Sequence, residues 1–441
     1  MSTEEITRIL EQIERDGPKF IRLQFSDIQG HPKNVAIPVK QVEKALTEGI
    51  SFDGSSIEGF ARIEESDMVL RPDPSTYRIL PWRAGNAGVA RFICDVHLPS
   101  GKPFEGDPRH ILKRTTAEAA KMGYIFNTGP ELEFFLFKLI EGQPSTVFQD
   151  TGGYFDLAPT DLAEDVRRAI VLALSEMGFD IEASHHEVAE SQHEIDFKYG
   201  DALTTADNTI TFKFAVKTIA LMNGLHATFM AKPIYGINGS GMHTNASLFK
   251  DGKNAFYDPD APLQLSKTAM QFVAGVLAHI KGITRLANPT INSYKRLVPG
   301  YEAPVYISWS ASNRTALIRV PAPRGNSTRI EIRSPDPSCN PYLTFAAVLA
   351  AGLEGIKKDM SPPPSTDINI FELSAEERSA IGIDTLPGDL ITANSALLED
   401  ELLCKALGSH VIGDLSRSAR MEWEDFRTAV HPWEVERYLR Y

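Results

Sequence analysis

The sequence predicts an α+β protein with a small N-terminal domain and a much larger second domain. Its 441 residues are more than one hydrophobic core usually organises, so two domains are expected. The first part of the chain alternates short helix and strand patterns, as a small α+β unit does. Residues 100–103 then form a Ser-Gly-Lys-Pro connector, and longer strands and helices follow. We therefore expect domains at residues 1–105 and 106–441.

The N-terminal unit begins with a capping box at residues 2–5, which opens an amphipathic helix that Gly17-Pro18 ends. Residues 41–47 have a second helical pattern. Residues 52–60, FDGSSIEGF, form a Gly/Ser-rich loop that can be held at its edges while its middle moves. Alternation of apolar and polar residues predicts short strands at 21–25, 33–38, 77–81 and 90–95.

The larger domain begins with a helix, because Asp107 suits the N-cap position and Pro108 the first helical position. Another helix is expected at residues 161–177. Its apolar face would comprise Leu162, Val166, Ile170 and Leu174. The prolines at 362–364 break the chain before a helical C-terminal segment, where residues 374–377 form a capping box.

The composition is that of an ordinary globular protein, with 42% hydrophobic and 23% charged residues. A formal net charge of −13 argues against non-specific binding to nucleic acid or to an anionic membrane surface. The cysteines are far apart and lack a CxxC spacing, so neither a disulfide framework nor a zinc site is expected. With no signal peptide and no apolar run long enough to cross a bilayer, we expect a cytoplasmic protein.

Glu131 and Glu133 follow the turn-forming pair Gly129-Pro130 and begin an aromatic-rich strand, ELEFFLF. Side chains at i and i+2 of a strand share a face, so the two carboxylates project together. Their repulsion beside residues that favour burial requires a positive partner, and a divalent cation is the strongest candidate. Taken alone, the pattern is more typical of a solvated strand end, because charged residues are common there.

A second acidic stretch, HHEVAESQHE, occupies residues 185–194. Its spacing is not HExxH, which excludes the zinc-protease interpretation. Carboxylate-rich sites with few histidines suit hard cations such as Mg²⁺ or Mn²⁺. A solvated polar loop would have the same composition.

A Gly-rich stretch at residues 232–243, KPIYGINGSGMH, allows positive φ and close approach of the backbone to a ligand. It matches neither a P-loop nor a dinucleotide-binding motif. His243 follows this turn on an expected strand. It is a candidate metal ligand, and the alternative is a core histidine with its hydrogen bonds satisfied.

Arginines recur between Arg296 and Arg333 in a protein that is acidic overall. Within RIEIR, the period of two places Arg329, Glu331 and Arg333 on one strand face. A ladder of surface ion pairs would give this pattern, and so would a metal ligand between two anion-binding groups. Together with the acidic stretches, it predicts metals that bridge nucleotide phosphates and arginines that stabilise a phosphoryl group in transfer.

Seven separated motifs resemble those of type I glutamine synthetases. They are FDGSSIEGF, GPELEFF, ASHHEVAESQHEID, KPIYGINGSGMHTNAS, NPTINSYKRLVPGYEAPV, STRIEIRSPDPSCNPYL and FRTAVHPWE, in the family order. The resemblance implies a β-grasp-like N-terminal domain and a catalytic domain with a curved antiparallel sheet and surrounding helices. It also implies ATP-dependent ligation of ammonia to L-glutamate through γ-glutamyl phosphate, in a homododecamer of two stacked hexameric rings with active sites shared between neighbouring subunits.

The resemblance further implies a role for each residue that matches a family position. One metal would bind Glu133, Glu187 and Glu194, and the second would bind Glu131, His243 and Glu331. Substrate glutamate would contact Asn238, Gly239, Arg296, Glu302, Arg314 and Arg333. ATP would contact Glu182, Tyr199, Asn245, Ser247, Arg314 and Arg329.

Three further positions concern the chemical step. Arg314 and Arg319 match groups that neutralise the transferring phosphoryl group. Asp53 matches an acid that a neighbouring subunit contributes to the ammonium site. Ammonium must be attracted by carboxylates and deprotonated before attack, and Asp53 and Glu302 lie in Gly-containing loops whose closure would exclude water.

Two departures from the family pattern matter. Where one branch has a tyrosine that is adenylylated, this chain has Phe371, which lacks a hydroxyl. The resemblance therefore favours the branch found in Gram-positive bacteria, which glutamine inhibits and in which the position of Arg62 takes part. Some members of that branch bind nitrogen-responsive transcription regulators, which become candidate partners. The second departure is Glu190-Ser191, because relatives often have smaller, turn-forming residues there.

Two alternatives stay open at this point. One is a ligase that joins glutamate to a larger amine, and the other is a catalytically inactive relative that serves in an assembly. Retention of Asp53 and Glu302 counts against the first. Retention of every expected metal-ligand position counts against the second.

Overall fold

The structure is a computed structural model, and it describes residues 3–55, 57, 59, 67–83, 88–301, 303–368 and 370–441. The predicted α+β architecture is confirmed: a small N-terminal sheet with two helices precedes a ten-stranded sheet surrounded by helices. Arg62 and Glu302, for which the sequence predicts roles, lie outside the described residues.

The N-terminal sheet comprises β1 (Phe20–Ser26), β2 (Pro32–Pro38), β3 (Ile50–Asp53), β4 (Asp67–Ile79) and β5 (Val89–His97). Its order is β2-β1-β5-β4-β3, with β1 and β5 parallel and the other neighbours antiparallel. Helices α1 (Thr3–Asp16) and α2 (Val42–Thr47) cover one face. Apolar residues at alternate positions of β1 and at helical spacing in α1 meet in a single core, as the pattern predicts.

The larger sheet comprises β6 (Ile125–Lys138), β7 (Ile181–His186), β8 (Gln192–Phe197), β9 (Gly200–Asp201), β10 (Leu225–Thr228), β11 (Met242–Lys250), β12 (Lys253–Asn254), β13 (Trp309–Ser310), β14 (Ile318–Arg319) and β15 (Ile330–Ile332). The main order is β13-β14-β15-β11-β6-β8-β7, while β9 and β10 also pair with β6 and β12 pairs with β11. All of these pairings are antiparallel except the short β13–β14 pair. Strand β6 is therefore the strand with the most partners.

The helices of this part are α3 (Pro108–Lys121), α4 (Glu164–Glu176), α5 (Ala202–Met222), α6 (Lys267–Ala287), α7 (Ser293–Arg296), α8 (Pro341–Lys357), α9 (Ala375–Ala380), α10 (Leu390–Glu399), α11 (Glu401–Leu407), α12 (Ser409–Thr428) and α13 (Pro432–Tyr438). They share one continuous core with the sheet. None of the helices among the described residues has both the length and the apolar character that crossing a membrane requires. The cysteines are free thiols, as their spacing predicts.

Helices α6 and α8 cross with their backbones in contact. A Cβ atom on Gly275 would lie 2.1 Å from the Ala351 carbonyl oxygen, and one on Gly355 would lie 2.0 Å from the Gln271 carbonyl oxygen. Only glycine fits such an approach. His279 of α6 also connects the two helices, because one ring nitrogen donates to Glu354 of α8 at 2.6 Å. The other ring nitrogen donates to Asp400, just before α11, at 2.7 Å.

A buried arginine joins the two parts of the chain. Arg109 of α3 is 3% exposed and pairs with Asp207 of α5 at 2.8 Å. The same guanidinium pairs with Asp95 of β5 at 2.6 Å and with Asp73 of β4 at 2.8 Å. The Tyr342 hydroxyl of α8 also donates to Asp207, at 2.6 Å. This guanidinium group thus joins two strands of the N-terminal sheet to helix α5, beside other contacts such as those of Arg91 with Thr211 and of Lys113 with Asp95.

Two local predictions are wrong. Gly129-Pro130 does not form a turn, because β6 runs through both residues. Pairing with β9 ends at Thr128 and pairing with β8 begins at Glu131, so the missing N–H of Pro130 falls in the break between two partners.

The second error concerns Leu162, which is 56% exposed and precedes α4 instead of lying on its buried face. The buried carboxylate of Asp161 accepts hydrogen bonds from the Ala163 amide (3.0 Å) and from Arg167 (2.5 Å). This arrangement delays the helix start and turns Leu162 outward. The rest of the predicted face, Val166, Ile170 and Leu174, is buried.

Candidate active site

The pairing of β6 with β8 gathers the first group of acidic side chains. Residues directly opposite each other in antiparallel strands project from the same face. Glu133 of β6 lies opposite Glu194 of β8, and Glu194 lies opposite His185 of β7. Ligand atoms of His185, Glu187 and Glu194 lie within 4.8 Å of one another. Of the sequence-predicted set, Glu187 and Glu194 thus meet together with His185, while Glu133 lies opposite Glu194 in the sheet and lines the same cavity.

The pairing of β6 with β11 gathers the second group. Glu131 lies opposite His243, whose Nδ1 is 3.7 Å from Glu131 Oε2 and 3.7 Å from Glu331 Oε1. Ligand atoms of these three residues also lie within 4.8 Å of one another. Asn245 of β11 donates to Glu131 Oε1 at 2.8 Å. The structure thus brings together the second predicted set, Glu131, His243 and Glu331.

Hydrogen bonds from neighbouring groups orient Glu133. Its Oε2 accepts from Gln192 Nε2 at 3.0 Å and from the Gly241 amide at 2.8 Å. Gln192 Nε2 also donates to the Gly239 carbonyl at 3.1 Å. Gln192 therefore connects the first acidic group to the Gly-rich stretch.

The electrostatics of the two groups match divalent cations. Burial raises the pKa of Glu194 to about 12, and the charges of Asp196 and Glu133 add to the effect. Burial likewise raises the pKa of Asp196 to about 6. Burial also raises the pKa of Glu131, but hydrogen bonds from His243 and Asn245 outweigh it and leave that pKa below its usual range. Carboxylates with single histidines are a donor set for hard cations, whose charge would relieve this crowding, so the residues fit such ions.

Two adjoining cavities divide the predicted residues by role. A cavity of about 810 Å³ is lined by Glu131, Glu133, Glu187, Glu194, His243, Arg314, Arg319, Glu331 and Arg333. A neighbouring cavity of about 310 Å³ is lined by five of the six residues expected to contact ATP, namely Glu182, Tyr199, Asn245, Ser247 and Arg329; the sixth, Arg314, lines the larger cavity. Glu131 lines both cavities. A space of about 20 Å³ beside Glu133 and His243 is lined by Asn238, Gly239 and Arg296.

The arginine-rich stretch is not a surface ladder of ion pairs. Glu331 is 2% exposed and forms ion pairs with Arg319 and with Arg333, whose Nε lies 3.3 Å from Glu331 Oε1. Arg329 instead donates to Asn245 Oδ1 at 2.9 Å, toward the smaller cavity. Arg296 is buried and donates to the Ser334 carbonyl at 2.7 Å. The guanidinium groups are therefore held in place before any ligand binds.

The loop that contains Arg314 is fastened to the segment at 365–368 by the Asp367 carboxylate and by Asn313, whose side-chain amide donates to the Ile368 carbonyl at 2.7 Å. Asp367 Oδ1 accepts hydrogen bonds from the hydroxyls of Ser310 (2.6 Å), Ser312 (2.8 Å) and Ser365 (3.0 Å). Arg333 donates to the Arg314 carbonyl from the other side. The position of Arg314 therefore depends on the segment just before Phe371, which lines the larger cavity.

Asp53 is not brought to these cavities within the described part of the chain. It ends β3, is exposed, and accepts hydrogen bonds from the Ser55 hydroxyl (2.7 Å) and amide (2.9 Å). The Ser55 hydroxyl, followed by the amide, lowers the pKa of Asp53. An ionised carboxylate at this surface is available to a second subunit.

Sequence reasoning missed Asp196, which lines the smaller cavity, and Tyr154, which lines the larger one. Asp196 lies two positions after Glu194 on β8, so the strand period that identified the glutamate pair could have found it. Tyr154 lines the larger cavity, and its ring stacks on Phe155 with centroids 4.0 Å apart. An aromatic residue in a loop gives no sequence signal of this kind.

Family models match nearly the whole chain. The model described as "Glutamine synthetase, catalytic domain" matches residues 105–438, and the model "Glutamine synthetase, beta-Grasp domain" matches residues 17–99. The chain belongs to the glutamine synthetase family. The β-grasp-like domain and the type I resemblance inferred from the motifs are thereby confirmed.

Individual glutamine synthetases are similar over almost their full length. The enzyme of Clostridium saccharobutylicum is 61% identical over 432 residues, covering 98% of each chain. That of Methanosarcina mazei is 59% identical over 432 residues, covering 98% of this chain and 97% of its own. That of Staphylococcus aureus is 58% identical over 429 residues, covering 97% of this chain and 96% of its own.

Solved structures agree with this assignment. A GmaS/ADP complex has a TM-score of 0.90 at 33% identity, covering 98% of this chain and 99% of the other. The cryo-EM structure of Plasmodium falciparum glutamine synthetase has a TM-score of 0.88 at 27% identity, covering 99% of each chain. The chain is thus an enzyme for ATP-dependent formation of glutamine, and the glutamine synthetase family implies glutamate, ammonium and ATP as its substrates together with divalent metal ions.

Proposed function

We propose that glutamine forms in two steps through γ-glutamyl phosphate. In the first, a γ-carboxylate oxygen of glutamate attacks the γ-phosphorus of ATP, and ADP leaves. In the second, the nitrogen of ammonia attacks the γ-carbonyl carbon, phosphate leaves, and a carboxylate accepts the surplus proton. The observation that supports this proposal is that two acidic groups flank strand β6 and line an arginine-containing cavity, while Glu131 of that strand also lines a neighbouring nucleotide-sized cavity.

The proposed roles of the residues combine the family resemblance with the cavities that the residues line. Mg²⁺ or Mn²⁺ held by Glu131, His243 and Glu331, and by Glu133, Glu187 and Glu194, would neutralise phosphate charge. Arg314 and Arg319 would donate to the phosphoryl oxygens as charge moves onto them. Arg333, Arg296, Asn238 and Gly239 would orient glutamate, and Glu182, Tyr199, Asn245, Ser247 and Arg329 would orient ATP.

Asp53 and Glu302 would form the ammonium site across a subunit boundary. Two carboxylates attract a cation, and one of them can act as the base that accepts its proton, in a site from which the closed loops exclude water. We therefore propose that Asp53 serves the site of a neighbouring subunit in a dodecamer of two hexameric rings. Asp53→Ala should leave Mn²⁺ and ATP binding unchanged and raise the KM for ammonium. A loss of ATP binding would refute this role.

The regulation that we propose is feedback inhibition by glutamine, with participation of Arg62, because Phe371 cannot be adenylylated. Nitrogen-responsive transcription regulators are proposed partners, and the cytoplasm is the proposed location. We also propose domain boundaries at residues 1–105 and 106–441. Nucleic acid and membranes are not expected as direct partners of a chain with net charge −13.

Phosphate release with glutamate and ATP tests the proposal directly. We expect rapid release with ammonium, little with spermidine, and inhibition when glutamine is added. A preference for the polyamine would favour a ligase for larger amines. Activity that glutamine leaves unchanged would contradict the feedback proposal alone, whereas a chain that bound neither Mg²⁺ nor Mn²⁺ would be an inactive relative.

A further inference from the structure

Ser191, one of the two residues that depart from the family pattern, has every backbone and side-chain oxygen or nitrogen engaged. Its hydroxyl oxygen accepts from the amides of Gln149 (2.7 Å) and Asp150 (3.2 Å). Its own amide donates to Asp150 Oδ1 at 2.9 Å, and its carbonyl accepts from the Leu136 amide at 2.9 Å. The side chain is fully buried. Ser191 is therefore a fixed point between three segments of the chain.

The backbone of Ser191 is in the left-handed region, with φ at 63°. A side chain rarely adopts this conformation, and glycine adopts it without strain. If the position served only to turn the chain, glycine would be the better residue. The hydroxyl must therefore contribute something that offsets the strain.

The hairpin that Ser191 closes contains two groups of the site. The Glu187 amide donates to the Gln192 carbonyl at 2.8 Å at the base of the hairpin, and Gln192 in turn orients Glu133. On the other side, Asp150 Oδ1 lies 3.1 Å from His186 Nε2, next to Glu187. The segment held by the Ser191 hydroxyl leads directly to Tyr154, which lines the larger cavity.

We propose that Ser191 is a positioning residue for the metal group of Glu133, Glu187 and Glu194. Its hydroxyl holds the segment at 149–150 against the β7–β8 hairpin, so that the hairpin keeps Glu187 and Gln192 at fixed positions. This proposal rests on the proposed function, because it needs those glutamates to be metal ligands. Groups that orient metal ligands typically change metal affinity by about 10- to 100-fold when removed.

Mn²⁺ titration by electron paramagnetic resonance, without substrates, tests the proposal on the full-length protein. Ser191→Ala keeps the strained backbone and removes the hydroxyl, whereas Ser191→Gly removes both. We expect both variants to bind Mn²⁺ about tenfold more weakly at one site. If Ser191→Ala does not fold, Ser191→Gly still gives the answer, since glycine accepts the backbone conformation.

Two controls separate the possible results. Asp251, at φ 51° in the β11–β12 turn, is exposed, so Asp251→Gly should bind Mn²⁺ like the wild type. Normal Mn²⁺ binding and a higher melting temperature in Ser191→Gly, together with weak binding in Glu187→Gln, would overturn the role of Ser191 and leave the proposed function intact. Normal binding in Glu187→Gln would overturn the metal assignment, and the inference with it.

Discussion

Replacing Arg109 with methionine would remove the charge that joins the N-terminal sheet to the larger part of the chain. The guanidinium is 3% exposed and contacts Asp73, Asp95 and Asp207 at 2.6 to 2.8 Å. Methionine has a similar length but no charge, so Asp207 loses this ion pair, while Asp73 and Asp95 keep their contacts with Lys113 at 3.9 and 2.5 Å. Breaking a buried ion pair by removing one partner costs about 3–5 kcal/mol, because the other charge stays buried and uncompensated.

The pH dependence of stability has a defined sign. Burial raises the pKa of Asp73 and Asp95, but the Arg109 charge, together with Lys113 and hydrogen bonds from neighbouring side chains, leaves both below the ordinary value of 3.8. Their contribution is therefore present above that value and is lost as the pH falls through the lower folded-state pKa values. Arg109→Met should be less stable than the wild type at pH 7, and the difference should shrink on acidification.

Calorimetry at pH 7 and at about pH 3, below the ordinary aspartate pKa, measures the effect, with limited proteolysis at residues 99–105 to detect separation of the two parts. We expect the apparent melting temperature to fall by roughly 5–10 °C at pH 7 in Arg109→Met. Arg427→Met is the matched control, because Arg427 pairs with Glu424 on an exposed helix surface and should cause no measurable change. Equal melting temperatures for the two variants would refute the reasoning.

Three further predictions concern other contacts. The hydrogen bond to Asp400 is the largest factor that raises the pKa of His279. The stability that protonated His279 contributes is therefore lost as the pH rises above 6.5 and through the raised pKa. His279→Gln should flatten the decline in melting temperature measured from pH 6 to 9. Gly355→Ala should lower the free energy of unfolding by about 1–3 kcal/mol, because the new Cβ would meet a backbone oxygen. Gly413→Ala, on α12 with open space around it, should raise the free energy of unfolding by about 0.5–1 kcal/mol. Urea unfolding compares the two variants. Asp367→Ala should lower kcat about tenfold by loosening the loop that contains Arg314, while the affinity for Mn²⁺ stays constant. A loss of Mn²⁺ affinity as large as the loss of kcat would contradict the role of Asp367 in positioning Arg314.

Local signals in the sequence predicted local structure well. The side chain of Asp107 caps α3 as expected, and Ser374 and Glu377 form the predicted reciprocal capping box. Such contacts involve residues a few positions apart, so the sequence alone contains them. The break in pairing beside Pro130 depends on two strands more than sixty residues further along the chain, which no local pattern reveals.

The candidate site was predictable only in part, because it is also built from segments that are distant in the sequence. The strand period predicted that Glu131 and Glu133 share a face, which the register confirms. That Glu331 approaches Glu131 depends on the pairing of β15 with β11 and of β11 with β6, contacts between distant segments. The family resemblance predicted that these residues form one site. It gave no indication of the hydroxyl contacts of Ser191, because that residue departs from the family pattern.

The central claim is that one strand presents ligands to two separate cations. Electron paramagnetic resonance of bound Mn²⁺ in Glu131→Gln and Glu133→Gln, compared with the wild type, tests it most directly. The geometry predicts that each variant loses one Mn²⁺ site and keeps the other, because Glu131 groups with His243 and Glu331 while Glu133 faces Glu194. Loss of both sites in each variant, or of neither, would contradict it.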